Sequence, residues 1–187
     1  MRRSTTACGL LLALAATCAF TFTTAASGAS GSAHRLKAEK QALAFYTGEI
    51  RKLRTETWYW QRVMGVPQSR PNVRRLETAS VPRLQQLDGL WTALEHRAYQ
   101  RAQHPPNLDA WLCIHRYEGS WTDAGGPYYG GLQMDMSFQS SYGGWLLARK
   151  GTADHWTPLE QIWTAVKAAR VRGFWPWPNT ARFCGLI

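Results

Sequence analysis

Glu118 occupies a position that suits acid–base chemistry. It follows an apolar-patterned segment, residues 108–117, that is typical of a helix, and Gly119 then ends that helix. A carboxyl group at the negative end of a helix, flanked by the rings of Tyr117 and Trp121, favours its protonated form, as a general acid must. The alternative is a carboxylate that is simply exposed at a helix end, and the sequence alone leaves both open.

Glycines and tyrosines dominate the segment that follows. Residues 125–135 are Gly-Gly-Pro-Tyr-Tyr-Gly-Gly-Leu-Gln-Met-Asp. Paired glycines are typical of tight turns and allow a ligand to approach the main chain closely. The rings of Tyr128 and Tyr129 could stack on a sugar and still keep a hydroxyl free for hydrogen bonding. The segment therefore indicates a ligand-binding surface, and the plainer alternative is a turn-rich loop whose tyrosines only pack.

The first residues have the three parts of a secretory signal peptide. Arg2 and Arg3 precede an apolar run over residues 7–22, and small residues follow it. The run is shorter than the roughly 20 residues that a membrane span needs. We expect residues 1–26 to be removed during export, with cleavage after Ala26 or Ala29. The protein would then contact a membrane only transiently and end up secreted or in the cell wall.

Export changes what the cysteines can do. Cys8 and Cys18 leave with the signal peptide, so the mature chain keeps Cys113 and Cys184. In an oxidising compartment such a pair most simply forms one disulfide, closing a loop of about 70 residues. The alternative, a metal site made of both cysteines and His115, has neither the spacing nor the ligand number of a usual zinc site. The sequence therefore predicts a disulfide and implies no metal and no cofactor.

Length and prolines divide the mature chain into parts. The full chain has 187 residues, which excludes a large doubly wound enzyme or a complete (β/α)8 barrel. Residues 27–33 contain only Ser, Gly and Ala and predict a flexible leader. Residues 34–104 predict two antiparallel amphipathic helices joined by a short proline-rich turn, a helical hairpin. Pro105 and Pro106 then stop the chain before the last part, residues 107–187.

The predicted hairpin carries most of the formal net charge of +10. Residues 27–106 hold 13 basic and 6 acidic side chains, a net of +7, whereas residues 107–187 hold 7 and 6, a net of +1. Two solvated helix faces would account for this excess. The alternative is attraction to an anionic polymer, which for an exported protein is an acidic wall component or a membrane surface rather than nucleic acid. A third interpretation is a module for partner binding or dimerisation, and the sequence does not predict the oligomeric state.

Local signals also define helices within residues 107–187. A short helix is expected to begin at Ser137 and to break near Gly143. Thr157 and Glu160 have the spacing of a capping box, with proline at the first helical position between them. The helix that they begin is expected to end at Gly173.

Three blocks of this last part occur in a distinctive order. They are Cys113-Ile-His-Arg-Tyr-Glu118-Gly-Ser-Trp121, Tyr128-Tyr-Gly-Gly-Leu-Gln133, and Trp175-Pro-Trp-Pro178 with Cys184. In this order they resemble the transglycosylase-like domain of resuscitation-promoting factors. In that family the cysteine is next to the glutamate, whereas Cys113 lies five residues before Glu118. Trp121 is two residues closer to the glutamate than the family's tryptophan.

The resemblance implies a small lysozyme-like fold that cleaves peptidoglycan in actinobacterial walls. It would make Glu118 the catalytic acid and would pair Cys113 with Cys184. It would place Tyr129 and Gln133 in the glycan-binding cleft, and Trp121 and Tyr128 are the other substrate-binding candidates. We therefore expect a mainly α protein: an N-terminal helical hairpin followed by a small lysozyme-like α(+β) domain that one disulfide closes.

Two reactions remain open for such a cleft. Glycoside cleavage needs a group that stabilises or traps the oxocarbenium-like centre, and for hydrolysis Asp123 or Asp135 would be that second carboxylate. If neither reaches, the C6 hydroxyl of the substrate can attack, as in a lytic transglycosylase, and the resembled family tolerates a single carboxylate. The alternative from another class is a non-catalytic wall-binding protein with a degenerate cleft.

Overall fold

The computed structural model describes residues 25–70 and 76–187, with side chains from residue 31 onwards, and these residues are mainly helical. The helices are α1 Ala25–Met64, α2 Val81–Ala102, α3 Leu108–Glu118, α4 Met136–Lys150, α5 Pro158–Arg172 and α6 Pro178–Phe183. Strands β1 Tyr128–Tyr129 and β2 Met134–Asp135 pair antiparallel, and a single 3-10 turn spans Ala153–His155. The mainly helical class is confirmed. Most of the expected signal peptide, residues 1–24, lies outside the described residues.

The chain divides within α1 into two compact units, Met1–Ala38 and Glu39–Ile187. In the first unit the structure describes residues 25–38, which are helical and whose side chains from residue 31 are exposed. Residues 27–33 belong to α1, so the prediction of a flexible leader is wrong for this structure. Alanines in the segment favour helix, and extending an existing helix costs far less than nucleating one. No helix in the described ranges is long and apolar enough to cross a bilayer.

Helices α1 and α2 run in the same direction, which corrects the prediction of an antiparallel hairpin. Contacts between them advance along both helices together, and they join Tyr46 to Gln85, Trp58 to Trp91, and Trp60 to Tyr99. Antiparallel helices would show the opposite order. The two helices are therefore a side-by-side parallel pair.

The chain between the two helices makes this arrangement possible by returning along α1. Ser69 hydrogen-bonds Gln61 near the end of α1, at 2.7 and 2.8 Å. Further on, Glu77 forms a 2.6 Å ion pair with Arg51, more than two turns earlier in α1. A connection of about 16 residues can span roughly 50 Å when extended, which is ample to cover the helix length between these contacts. Pro67, one of the prolines that suggested a tight turn, instead lies in a long return segment.

Two apolar clusters hold the second unit together. One lies between α1 and α2 around Ile50, Leu84, Leu87 and Trp91. The larger one joins the ends of α1 and α2 to the C-terminal helices; its fully buried members include Met64, Ala102, Trp111, Ile114, Leu132, Leu146 and Trp163. The indole N–H of Trp163 donates to the carbonyl of Ala102 at 2.8 Å. The segments before and after residues 105–106 thus contribute to one core.

Local predictions for the C-terminal helices are confirmed. The Thr157 hydroxyl accepts a hydrogen bond from the Glu160 backbone N–H, and the Glu160 carboxylate accepts one from the Thr157 N–H, which completes the capping box. Helix α5 ends before Gly173, which has a φ of 58°. Within α4, Gly143 leaves helical geometry, with φ −125° and ψ 15°, where the sequence predicts a break.

The predicted disulfide is confirmed. Cys113 on α3 is bonded to Cys184 just after α6, across 71 residues of sequence. The alternative metal site with His115 is wrong because both sulfurs are used by this bond. No group of three or more potential metal-ligating side chains lies together in the part of the chain that the structure describes. The disulfide joins α3 to the C-terminal tail, and this junction forms one side of the candidate site.

Candidate active site

Glu118 lies half-buried at the last position of α3, facing α6. The hydroxyl of Thr180, on α6, donates a 2.7 Å hydrogen bond to its Oε1. The same hydroxyl lies 3.4 Å from the carbonyl oxygen of Trp177, one turn earlier. The carboxylate is therefore held by a side chain 62 residues away in sequence, and the Cys113–Cys184 bond keeps the two helices together.

Gly119 lets the neighbouring loop approach the end of α3. A Cβ at this position would lie 3.0 Å from Nε2 of Gln133 and 3.2 Å from Oδ2 of Asp123. Nε2 of Gln133 donates to Asp123 Oδ2 at 2.8 Å and to the Gly130 carbonyl at 3.0 Å. The predicted cleft residue Gln133 thus lies directly beside the backbone that follows Glu118.

A buried glutamine, Gln161 of α5, organises the glycine-rich loop. Its Oε1 accepts from the Gly131 N–H at 2.8 Å, and its Nε2 donates to the carbonyls of Trp121 and Ala153, each at 2.8 Å. Gly130 has a φ of 74°, and a side chain there would collide with Gln161. Burying an amide is favourable only when its hydrogen bonds are made. This requirement explains why the loop follows the surface of α5 so closely.

Trp121, predicted to bind substrate, packs inside this loop. Its ring stacks on the imidazole of His115, with centroids 3.9 Å apart and planes 21° from parallel. Nδ1 of His115 lies 3.1 Å from the Gly131 carbonyl oxygen. Gly131 fits against both rings, since a Cβ there would be 2.5 Å from His115 and 2.7 Å from Trp121. The stack positions the loop, and His115 has a structural place in it.

A cleft of about 180 Å³ opens beside the paired strands. The residues that line it are Tyr128, Gln133, Met134, Asp135, Ser137, Phe138, Ser141, Tyr142, Arg172, Pro176 and Trp177. Three predicted site residues, Tyr128, Gln133 and Asp135, are among them. Glu118 is not among them; the residue after it, Gly119, lies beside Gln133 of the lining.

Tyr129 faces away from the cleft lining. It is half-buried in β1, where it pairs with Met134 of β2. Its hydroxyl lies close to the turn before it, since a Cβ on Gly126 would be 3.1 Å from that oxygen. The two adjacent tyrosines are therefore placed differently: Tyr128, which is exposed, lines the cleft, and Tyr129 packs against its own turn.

The two candidate second carboxylates also differ in their surroundings. Both oxygens of Asp123 accept hydrogen bonds from its own loop: Oδ1 from the Gly125 N–H at 3.0 Å, and Oδ2 from Gln133. Asp135 caps α4 with Oδ1, which accepts from the Phe138 N–H at 2.7 Å, and it lines the cleft. Its other oxygen has no hydrogen-bond partner among the described residues. Of the two carboxylates, Asp135 is thus the one that could contact a ligand in the cleft.

Two site residues, Thr180 and Arg172, escaped sequence reasoning. Arg172 looks like a favourable cation at the end of α5, yet it lines the cleft. Thr180 falls in a six-residue helix with no distinctive pattern. The sequence did single out Trp177, because it belongs to the Trp-Pro-Trp-Pro run. Its indole N–H donates to the Leu132 carbonyl at 2.7 Å.

Comparisons with known proteins add nothing to this geometry. No family model, no curated protein and no solved structure matches the chain. The candidate site consequently has to be interpreted from its own residues.

Proposed function

We propose that the protein is a secreted peptidoglycan-cleaving glycosidase, a muramidase or a lytic transglycosylase, with Glu118 as its general acid. The C-terminal part, residues 107–187, would be a small lysozyme-like domain. Its cleft would hold glycan strands against the exposed ring of Tyr128. No step of this chemistry needs a cofactor.

The observation that carries the proposal is the setting of Glu118. A half-buried carboxyl with one hydrogen-bonded partner, Thr180 at 2.7 Å, is held in a defined position rather than being free in solvent. The backbone of the next residue, Gly119, lies beside Gln133, which lines an aromatic and polar cleft. General acid catalysis needs a carboxyl group that is fixed within reach of a leaving oxygen.

The position of the cysteine also supports the proposed relationship. Cys113 lies four residues earlier, relative to the glutamate, than the cysteine of the resembled family. Four residues are about one turn of helix, so the sulfur stays on nearly the same face of α3. A disulfide from that face still reaches the tail after α6. The change of spacing is therefore compatible with the same tie between the acid-bearing helix and the tail.

The reaction would begin with proton donation from Glu118 to the glycosidic oxygen. In the hydrolytic form, Asp135 would stabilise the positive centre or activate water, because it lines the cleft and only its Oδ1 is engaged within the described residues. In the lytic form, the C6 hydroxyl of the substrate would attack and leave an anhydro sugar. Asp123 has less freedom for either role, since both its oxygens are engaged.

Digestion of purified peptidoglycan tests the proposal. The wild-type protein is expected to release soluble fragments, and Glu118→Gln is expected to lower the rate by about a hundredfold or more, the usual contribution of a general acid. Glu39→Gln makes the same chemical change at an exposed position of α1 and should leave the rate unchanged. Reducing ends identified by mass spectrometry would indicate hydrolysis, and anhydro ends transglycosylation.

A non-catalytic wall-binding protein is the second candidate. It is favoured by the absence of Glu118 from the residues that line the cleft. In that case the wild-type protein and Glu118→Gln would bind peptidoglycan equally, and neither would release fragments. That outcome would replace the enzyme proposal.

A further inference from the structure

A groove outside the candidate site runs along α1. A pocket of about 380 Å³ lies between α1 and α2, and one of about 170 Å³ lies between α1 and α4. Trp58 and Gln68 line both pockets, so the two pockets are neighbours. We call the two pockets together the arginine groove, after their charged lining residues, Arg54, Arg62, Arg70 and Arg149.

Three of the four guanidinium groups of the arginine groove, those of Arg62, Arg70 and Arg149, have no ion-pair partner among the described residues, whereas Arg54 lies within electrostatic range of Glu77. Within residues 31–70 and 76–187, none of the four forms an ion pair or a side-chain hydrogen bond, and no acidic residue lines either pocket. Arg51, close by on α1, is instead paired with Glu77 at 2.6 Å. Like charges gathered without a partner repel one another, and a bound anion relieves that repulsion.

Aromatic rings hold three of these arginines in place. Cζ of Arg54 lies 5.0 Å from the centroid of the Trp58 ring. Arg62 and Arg149, from two different helices, both lie against Trp145, at 5.2 and 5.6 Å. Stacking occupies the flat face of a guanidinium and leaves its N–H groups free for carboxylate or phosphate oxygens. Groups that are ordered before binding lose less entropy when the ligand arrives.

Trp91 adds an unused donor at one end of the groove. It lines the larger pocket, and its buried Nε1 has no hydrogen-bond partner within the described ranges. Leaving such a donor unpaired is costly, so the lining of this pocket contains a polar group that the described residues do not satisfy.

The spacing of the arginines excludes a single small anion as the full ligand. Arg54 and Arg62 are eight residues apart on α1, which corresponds to roughly 12 Å along the helix axis. One carboxylate or phosphate cannot reach both. We propose that the arginine groove binds a linear anionic glycan or polyol polymer, with phosphate or carboxylate groups on the arginines and its uncharged units against Trp58 and the neighbouring rings.

This inference goes beyond the proposed cleavage and concerns a different part of α4. The N-terminal turn of α4 lines the cleft through Ser137 and Phe138, whereas Trp145 and Arg149 near its other end line the groove. The choice of a wall-type polymer rests on the proposed export. Measuring polymer binding with the Glu118→Gln variant separates groove binding from the proposed cleavage, because groove binding does not require glycan cleavage.

The test is a set of binding titrations with the full chain carrying Glu118→Gln. The probes are poly(glycerol phosphate) and polygalacturonate, with neutral dextran and single-stranded DNA for comparison, each at low and high salt. We expect binding to the two polyanions that weakens with salt, and none to dextran. The preferred polyanion distinguishes a phosphate-bearing from a carboxylate-bearing partner.

Two pairs of substitutions separate the groove from the general positive charge of the protein. Arg62→Gln with Arg149→Gln should weaken polyanion binding by about tenfold or more. Arg97→Gln with Arg101→Gln removes the same charge from exposed positions of α2 and should change it by less than about twofold. Arg62→Lys with Arg149→Lys keeps the charge but removes the planar guanidinium groups that lie against Trp145. This pair should bind the polyanions several-fold more weakly than wild type.

Three results would overturn the proposal. The first is an equal loss of affinity in the groove pair and the α2 pair, which would assign binding to net charge alone. The second is full affinity in the lysine pair, which would exclude the stacked guanidinium groups as the binding element. The third is tighter binding of single-stranded DNA than of either polyanion, which would identify a nucleic-acid surface. Thermal unfolding of each variant, followed by circular dichroism, verifies that it is folded.

Discussion

Thr180 has a single hydroxyl proton and two acceptors within reach. It donates to Glu118 at 2.7 Å, and the Trp177 carbonyl lies 3.4 Å away. When Glu118 carries a proton, the carboxyl can donate to the hydroxyl, which then turns to Trp177. Both protonation states of an acid catalyst would thus keep a partner, and Thr180 would be a positioning residue.

Replacing Thr180 tests this role. Thr180→Val is expected to lower peptidoglycan cleavage by about ten- to hundredfold, because a hydrogen bond to a charged group contributes about 1.5–3 kcal/mol. Thr180→Ser keeps the hydroxyl and should restore most of the rate. The measurement is the cleavage rate of each variant as a function of pH. A purely structural role would leave the shape of the pH profile unchanged in Thr180→Val, and that result would contradict the assignment.

Gly131 offers a steric test of the loop beside the cleft. In Gly131→Ala the new methyl group would be 2.5 Å from His115 and 2.7 Å from Trp121, so the stacked rings have to move. We expect a loss of about 2 kcal/mol in the free energy of unfolding, typical of overpacking, and a lower cleavage rate. Urea unfolding measures the first effect.

Gly144 is the matched control for that substitution. No atom would lie within 4 Å of a Cβ at this position of α4. Gly144→Ala should be neutral or stabilise the protein by up to about 1 kcal/mol. If both alanine variants behaved alike, the close packing of Gly131 would have no energetic consequence.

At the scale of single elements, the sequence predicts best where the determinants are local. The capping box of Thr157 and Glu160, the end of α5 at Gly173 and the break at Gly143 depend on residues within one turn of each other. The direction of α2 relative to α1 does not depend on such neighbouring residues. Periodicity shows that each helix has an apolar face, yet both parallel and antiparallel packing would bury it. The return of the chain past Ser69 decides the direction, and no local pattern reveals that path.

One ion pair joins helices α4 and α5. Lys150 donates to both carboxylate oxygens of Glu160, at 2.6 and 2.9 Å, and the Glu160 side chain is 1% exposed. Burial raises the pKa of Glu160, against the lowering effect of the Thr157 N–H bond. Burial also lowers the pKa of Lys150, with a smaller contribution from Arg149. Each charge is therefore costly without the other.

Removing only the Lys150 cation should reveal the cost of burying the Glu160 charge without a partner. Lys150→Met is expected to lower the free energy of unfolding by about 3 kcal/mol, because it leaves a buried carboxylate unpaired. The double variant Lys150→Met with Glu160→Gln removes both charges, and glutamine can still complete the capping box. Urea unfolding should show most of the stability recovered in the double variant. A double variant as unstable as the single one would show that the charges are not the cause.

At the scale of the whole molecule, the candidate site combines predictable and unpredictable parts. Glu118, Gln133 and Tyr128 come from motifs within a short stretch and could be named from the sequence. Thr180 reaches Glu118 across 62 residues. Sequence spacing cannot show such a contact without knowledge of how α6 docks. The stacking of Trp121 on His115 was missed for the same reason, because the loop between them closes only around Gln161 of α5.

Lys167 packs between α5 and the end of α1, and its protonation makes the free energy of unfolding depend on pH. Its side chain reaches Gly65, where a Cβ would lie 3.0 Å from its Cδ, and burial together with Arg170 lowers its pKa from 10.5 to about 8. Between these values the unfolded chain binds more protons than the folded one. The free energy of unfolding should therefore rise as the pH increases from about 8 to about 10.

The Lys167→Met variant tests that linkage. It should be more stable than wild type at pH 7, by about 1 kcal/mol after allowing for partial solvent exposure, and should lose most of the alkaline rise. A smaller rise should persist because burial also lowers the pKa of Lys150. Lys52→Met, at an exposed position of α1, should keep the full wild-type rise. Urea unfolding across this pH range is the measurement, and an unchanged slope in Lys167→Met would exclude Lys167 as its source.

The Cys113–Cys184 bond should contribute to stability and activity through different routes. It closes a loop across 71 residues, and the entropy removed from the unfolded chain corresponds to about 4 kcal/mol. The double variant Cys113→Ala with Cys184→Ala should lose about that much free energy of unfolding. At temperatures where it remains folded, the buried contacts of Trp177 with Trp111 and Leu132 still hold the tail. Residual cleavage under those conditions would show that the bond secures the fold, whereas a folded but inactive variant would show that it also sets the position of Thr180 against Glu118.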